Sequence, residues 1–290
     1  MSRRKIGFFG PLTGREKTGV NPWVETAAAA CVVALSLYLG RRLSMRSRRT
    51  AVCACGFSLG LVVFLLAGRF CPSLTDCAPL FTLAVGRMKF LVFAVAIPLG
   101  LSAPLPHLPR RSERFITCIA LGALIFVFAL FPFLGPAAFA RTLCDLPDTR
   151  DAYGICLQNT PYTCGPAAAV TALNRLGVPA AEGTMAMQAR TCPFMGTTTY
   201  DLCRAIDIAS AKSGLKAAFC RLDSLDQLSA DNGALLLLKE GFLLTHCVAL
   251  LDISDRMVTF ADPAEGIISL PKDVFARLWT GHAIIIKPSI

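Results

Sequence analysis

The sequence predicts an α+β domain preceded by an α-helical transmembrane region. Three observations carry this reading. The apolar excess lies before about residue 140. The residues after about 145 hold two helical patterns followed by a run of short strand patterns. The basic residues cluster at the ends of the apolar runs.

Hydrophobic residues make up 54% of the 290, and mean hydropathy is +0.57, more than a soluble domain carries. Four apolar stretches stand out, at roughly 23–40, 51–68, 90–106 and 115–140. A span needs about 20 apolar residues. The second and fourth stretches meet this easily. The first carries Glu25 near its start, and Arg87 and Lys89 interrupt the front of the third. Long basic side chains snorkel to the interface, so the third helix is expected to begin near residue 88. The first stretch runs into RRLSMRSRR rather than a small-residue cleavage site, so it is expected to be retained. The organisation is thus a basic tail over 1–22, a transmembrane region of three to four helices over 23–140, and a soluble domain over 145–290.

The formal charge is +10. Arg41, Arg42, Arg46, Arg48 and Arg49 form one cluster, and Arg110, Arg111 and Arg114 another. Because both flank apolar runs, they read as membrane-topology charges rather than as a nucleic-acid surface. These loops are expected on the cytoplasmic side, which places the chain after 140 outside. The tail, with Arg3, Arg4, Lys5, Arg15 and Lys17, counts the other way if all four stretches cross. Cysteines add a second argument. Cys144, Cys156, Cys192, Cys203, Cys220 and Cys247 follow residue 140, and Cys71 and Cys77 share the facing loop. Disulfides among them are expected, in an oxidising compartment. No CxxC or Cys/His spacing suggests zinc.

In the soluble half, apolar positions Ala168, Ala169, Ala172, Leu173 and Leu176 line one helical face. Pro166 suits the first turn and Gly177 the stop. A second helix is expected across 198–212. Strands are expected at 234–239, 243–251, 256–260, 266–270 and 283–287. Helices followed by strands indicate α+β rather than alternating α/β.

Cys164 therefore stands at the start of a helix, where unpaired amides and the dipole favour a thiolate. A thiolate nucleophile needs a base, and the chain holds three histidines. His107 lies in a membrane loop, His282 beside the last strand, and His246 within the strand LLTHCVALL. An antiparallel hairpin centred near Ser254 would set His246 opposite Asp262, Val248 opposite Phe260 and Leu250 opposite Val258. Asp262 would then accept the His246 Nδ1 proton and leave the other ring nitrogen for Cys164. Cys247 would point to the opposite face. Gln158 supplies a neutral amide donor for a developing oxyanion, with the Cys164 backbone N–H as the second.

Gln158 six residues before the Cys-Gly-Pro-Ala helix start, and His246 sixteen residues before Asp262, resemble the C39 family of papain-like cysteine peptidases. The segment GTTTYDLCRAI, with Gly196 and Thr197, and the ending with Trp279 and Gly281 before AIIIK are similar to that family as well. The resemblance covers about 150 to 290. It implies a papain-like α+β fold, with Cys164 as nucleophile, His246 as general base, Asp262 as its orienting partner and Gln158 as oxyanion donor. It implies neither cofactor nor metal. Well-known members are fused to peptide exporters and remove leaders after a double glycine. Here the peptidase stretch is C-terminal and no GxxxxGK[ST] loop is present. The expected function is a membrane-anchored cysteine peptidase acting on a peptide or leader-type substrate, partnered by the bilayer and by a separate exporter. Two alternatives stay open: a thiol acyltransferase on the same triad, and a non-catalytic C39-like module that binds a peptide.

Overall fold

The computed structural model describes residues 22–70, 87–193, 195–229, 233–241 and 245–289. The expected basic tail before residue 22 and the loop carrying Cys71 and Cys77 lie outside these residues. The described chain falls into two compact units, one ending at Ala138 and the other starting at Phe139.

The first unit is helical: α1 (Pro22–Arg46), α2 (Arg48–Phe70), α3 (Met88–Ser102) and α4 (Arg111–Ile125), the last continued by a π turn at Phe126–Leu130 and by α5 (Phe131–Ala138). Four helical segments, Pro22–Arg46, Arg48–Ala67, Met88–His107 and Arg111–Ala138, are long and apolar enough to cross a membrane. Helix α3 packs against both α1 and α2. It begins at Met88, as the sequence suggests. The Arg87 side chain is 12% exposed and pairs with Glu25. Its Nη2 also donates to the Pro132 carbonyl at 2.8 Å. That carbonyl has no helical donor, because the residue four positions on is Pro136, which lacks an N–H. One guanidinium therefore serves two buried acceptors, which explains its position inside the unit.

The second unit is α+β. After α6 (Ala140–Cys144) come α7 (Cys164–Arg175), α8 (Glu182–Gln188) and α9 (Thr199–Ala209). Strands β1 (Leu215–Arg221), β2 (Gly233–Lys239), β3 (Thr245–Ile253), β4 (Met257–Asp262) and β5 (Gly266–Pro271) follow, then α10 (Lys272–Leu278) and β6 (Trp279–Pro288). All pairs in the six-stranded sheet are antiparallel, in the order β1-β6-β2-β3-β4-β5. Alternation along the strands builds two cores. Leu235, Cys247, Ala249 and Ile284 join Ala168, Leu173 and Ile206 of the helices in one. Leu236, Val248, Leu250 and Ala283 join Phe260, Phe275 and Trp279 in the other.

Helix α7 ends as its sequence predicts. Gly177 has φ +75°. The Val178 N–H reaches the Leu173 carbonyl at 2.9 Å, and the Gly177 N–H reaches that of Asn174 at 3.0 Å, a Schellman closure. Helix α9 starts on Thr198, whose hydroxyl accepts the Asp201 N–H at 3.2 Å. Helix α8 has only seven residues, too few to show a periodic pattern, and it went unpredicted. It packs on α6 through Gly183. A Cβ there would stand 2.6 Å from the Cys144 carbonyl oxygen and 2.7 Å from that of Leu143. Gly183→Ala is therefore expected to destabilise the domain by about 1–3 kcal/mol, read as a lower midpoint of thermal unfolding.

Candidate active site

Cys164 is the first residue of α7, and the two residues after it, Gly165 and Pro166, are buried. Gly165 lies against Leu202 of α9 and Thr197, which brings the GTTTYDL segment beside the helix start. The Cys164 side chain is half-buried and packs against the helix-side core.

His246 is the second residue of β3, and Asp262 is the last of β4. Their hairpin differs from the expected register. Leu250 pairs with Phe260 and Ala249 with Ala261; then an irregularity between Leu250 and Asp252 shifts the ladder, so that Asp252 pairs with Thr259 and Ile253 with Val258. The turn is the reason. It closes from the Ser254 N–H to the Met257 carbonyl at 2.9 Å, further along the chain than a turn centred on Ser254. Continued to the open end, this register offsets Asp262 by two residues from the position facing His246. A two-residue slip leaves each side chain on its own face, so the pair survives as a diagonal one. His246 Nε2 lies 2.9 Å from Asp262 Oδ1.

This corrects the expected use of the ring. The diagonal separation of about 7–8 Å between such positions is spanned by the distal nitrogen, Nε2, rather than by Nδ1. Nδ1 is left for Cys164, whose side chain lies near enough to help raise the His246 pKa.

The electrostatics follow from these partners. Burial disfavours charge on His246, but its hydrogen bonds to Asp262 and Cys164, and the charges beyond them, outweigh burial and raise its pKa to about 10. Burial also opposes ionisation of Asp262, yet its bonds to His246 and to the Ala264 N–H hold its pKa below the usual carboxylate range. That N–H donates to Asp262 Oδ1 at 2.8 Å. These shifts favour a carboxylate facing an imidazolium at neutral pH. The reactive form of a cysteine is its thiolate, for which an imidazolium is the natural counter-charge.

The sign of the pH dependence is fixed. The His246 contribution to stability is full below its ordinary 6.5 and fades as pH rises toward about 10. The Asp262 contribution is present above 3.8 and is lost as pH falls through its depressed value. The unfolding temperature of the native chain should therefore fall more steeply between pH 6.5 and about 10 than that of His246→Ala, measured by thermal melts across that range.

Gln158 joins this group through its backbone. Its N–H donates to the carbonyl of Pro263, the residue after Asp262, at 2.8 Å. Its side-chain Oε1 is buried and without a hydrogen-bond partner among the described residues. His107 and His282 are elsewhere: His107 Nε2 lies 3.2 Å from Ser44 Oγ, and the His282 ring stacks on Phe219.

The remaining cysteines correct another expectation. Cys144, Cys156, Cys203, Cys220 and Cys247 are free thiols. Several are buried in the core, where a cysteine acts as a small apolar residue. Burial pushes Cys156 and Cys203 to about 12 each, and pushes Cys247 well up. They are poor nucleophiles, which sets Cys164 apart.

The peptidase C39 family model matches residues 152–290. The chain belongs to the peptidase C39 family. An uncharacterized protein of Methanothermobacter thermautotrophicus is 33% identical over 133 residues, which are 46% of this chain and 87% of that relative. One from Methanothermobacter marburgensis is 33% identical over 130 residues, 45% of this chain and 85% of its own length. Among solved structures, this C39 domain is similar to the peptidase domain of Streptococcus ComA, a bifunctional ABC transporter involved in a quorum-sensing pathway. Identity there is 19% and the TM-score 0.39, covering 46% of this chain and 96% of that one. It is also similar to the N-terminal C39-like domain of a toxin secretion ATP-binding protein from Vibrio parahaemolyticus, at 18% identity and TM-score 0.36, covering 45% and 99%. Family membership through residues 152–290 supports a peptidase or leader-processing role.

Proposed function

We propose that this chain is a membrane-anchored cysteine peptidase that cleaves a peptide or leader-type substrate. The observation that carries this reading is His246, hydrogen-bonded through Nε2 to Asp262, with Cys164 near enough to help raise its pKa. In the proposed reaction the Cys164 sulfur attacks the scissile carbonyl carbon. The oxyanion so formed takes hydrogen bonds from the Gln158 side-chain amide and the Cys164 backbone N–H. The His246 imidazolium gives its Nδ1 proton to the leaving amine, which departs as the C–N bond breaks. Asp262 stays ionised and holds the ring. Water then attacks the thioester, with neutral His246 taking its proton, and the acid product leaves as the free thiol side chain is restored.

The helical unit is the anchor in this reading, and a separate exporter is the partner that the family resemblance suggests. The eight arginines of the 41–50 and 107–114 turns favour the cytoplasmic side for those turns. An odd number of spans follows each turn, three after the first and one after the second, so the catalytic domain would emerge on the opposite side. The free cysteines do not add to this argument.

One experiment tests activity and sidedness together. Vesicles of known orientation are treated with a membrane-impermeant thiol reagent, and modified residues are mapped by peptide mass spectrometry. The same vesicles are then given leader-type peptides. The expected result is labelling of Cys164 from the outer face, and peptide products carrying one added water that are absent with Cys164→Ala. Full hydrolysis by Cys164→Ala sinks the peptidase mechanism. Labelling only from the cytoplasmic face reverses the orientation. Products that carry an added amine in place of water identify an acyltransferase.

A further inference from the structure

Among the described residues the Gln158 side-chain oxygen has no partner, so no described group bonded to that oxygen aims the amide. Its aim is set by the backbone. On the upstream side, the Leu157 N–H donates to the Thr149 carbonyl at 2.9 Å, and Gln158 itself is held to Pro263. On the downstream side stands a feature with no place in the triad. Glu182, the first residue of α8, is fully buried, at 0% exposure. Its Oε1 accepts the Asn159 backbone N–H at 3.0 Å, and its Oε2 accepts from Asn159 Nδ2. The same Nδ2 donates to the Pro147 carbonyl at 2.7 Å, while Asn159 Oδ1 accepts from the Thr149 hydroxyl at 2.9 Å.

We infer that Glu182 and Asn159 are positioning residues for the Gln158 oxyanion donor. The inference rests on the oxyanion role proposed for Gln158. A fully buried carboxylate is costly to desolvate, and as a source of stability alone it is a poor choice. What it provides is geometry. Both of its oxygens grip one residue, and charge-assisted bonds are shorter and stiffer than neutral ones. That residue is the immediate neighbour of Gln158. Gly183, next to Glu182, fixes the carboxylate in turn by seating α8 on the backbone of Leu143 and Cys144. An oxyanion donor must already be in place when charge develops, and a displacement of about 1 Å costs about 10²-fold in rate.

Two reactions of Cys164 separate aim from nucleophilicity. Acetylation by p-nitrophenyl acetate passes through a tetrahedral oxyanion. Alkylation by iodoacetamide is a direct displacement and forms none. Both rates are measured at Cys164 on the purified full chain by peptide mass spectrometry. Gln158→Ala is expected to slow acetylation about 100-fold, and Glu182→Gln and Asn159→Ala about 10-fold each, with alkylation of the last two unchanged. Glu182→Gln keeps the shape but turns an N–H donor toward the Asn159 Nδ2 donor. Acetylation at the native rate in both Glu182→Gln and Asn159→Ala, with Gln158→Ala slow, overturns the positioning role alone. A native rate in Gln158→Ala overturns the oxyanion reading, and this inference with it. An equal loss of both reactions in Glu182→Gln and Asn159→Ala marks a purely structural role and also overturns it.

Discussion

Replacing His246 by alanine is expected to lower kcat/KM for peptide hydrolysis by about 10⁴-fold, because one ring performs two tasks. In the proposed mechanism it is the cation beside Cys164 during attack, and it carries the proton to the leaving amine. Its side chain is 14% exposed and its Nε2 is bonded to Asp262. Alanine removes the donor and the counter-charge together. Iodoacetamide alkylation of Cys164 at pH 7 should slow as well, by about ten-fold, which separates lost activation from lost proton transfer. Buried cysteines such as Cys247 should stay unmodified in both proteins. A variant that hydrolyses peptide at the native rate would mean that another group serves as base.

Asp262→Asn is the second large effect, about 10²-fold in kcat. Asparagine fits the space and can still accept the Ala264 N–H, so the hairpin should persist. What disappears is the negative charge that helps raise His246 to about 10. Without it the imidazolium loses its proton at lower pH. The alkaline limb of the pH–rate profile should therefore move toward acid by about one unit or more. Uniform loss across the profile, with no movement of that limb, would assign Asp262 to structure rather than to the electrostatics of the site.

Much of this was legible from local pattern. Pro166 and Gly177 mark the two ends of α7, and both marks are backbone chemistry that a sequence states outright. The apolar runs delimit the spanning helices because length and composition decide them. The candidate residues could be named because their types are scarce: of three histidines, one stands on the strand that forms a hairpin with the strand ending at Asp262. The errors have a common cause, which is that tertiary detail was inferred from spacing alone. The hairpin register shifted because Ser254 caps a turn further along and the ladder takes up a residue near Leu251. The His246 nitrogens exchanged roles for the same reason. The cysteines read as a disulfide set by count, yet they are spread through separate parts of the core. Glu182 carried no signal at all. Its partner Asn159 lies 23 residues away, and only the seating of α8 on α6 brings them together.

The order of strands also sets an order of events. Strand β6 lies between β1 and β2, so Leu215 finds its partner only in Pro288, and Ala234 finds Ile285. A ribosome makes the chain from the other end. The long apolar helices form from neighbours in sequence as they emerge. The sheet of the C39 domain cannot close until β6, which joins β1 to β2, has been synthesised. Until then β1 and β2 present open edges, prone to mispairing. Cys164 on α7 and His246 are both made earlier, but the sheet that carries His246 is completed only by residues 279–288. The C39 domain is therefore finished only after the long apolar helices have already been made.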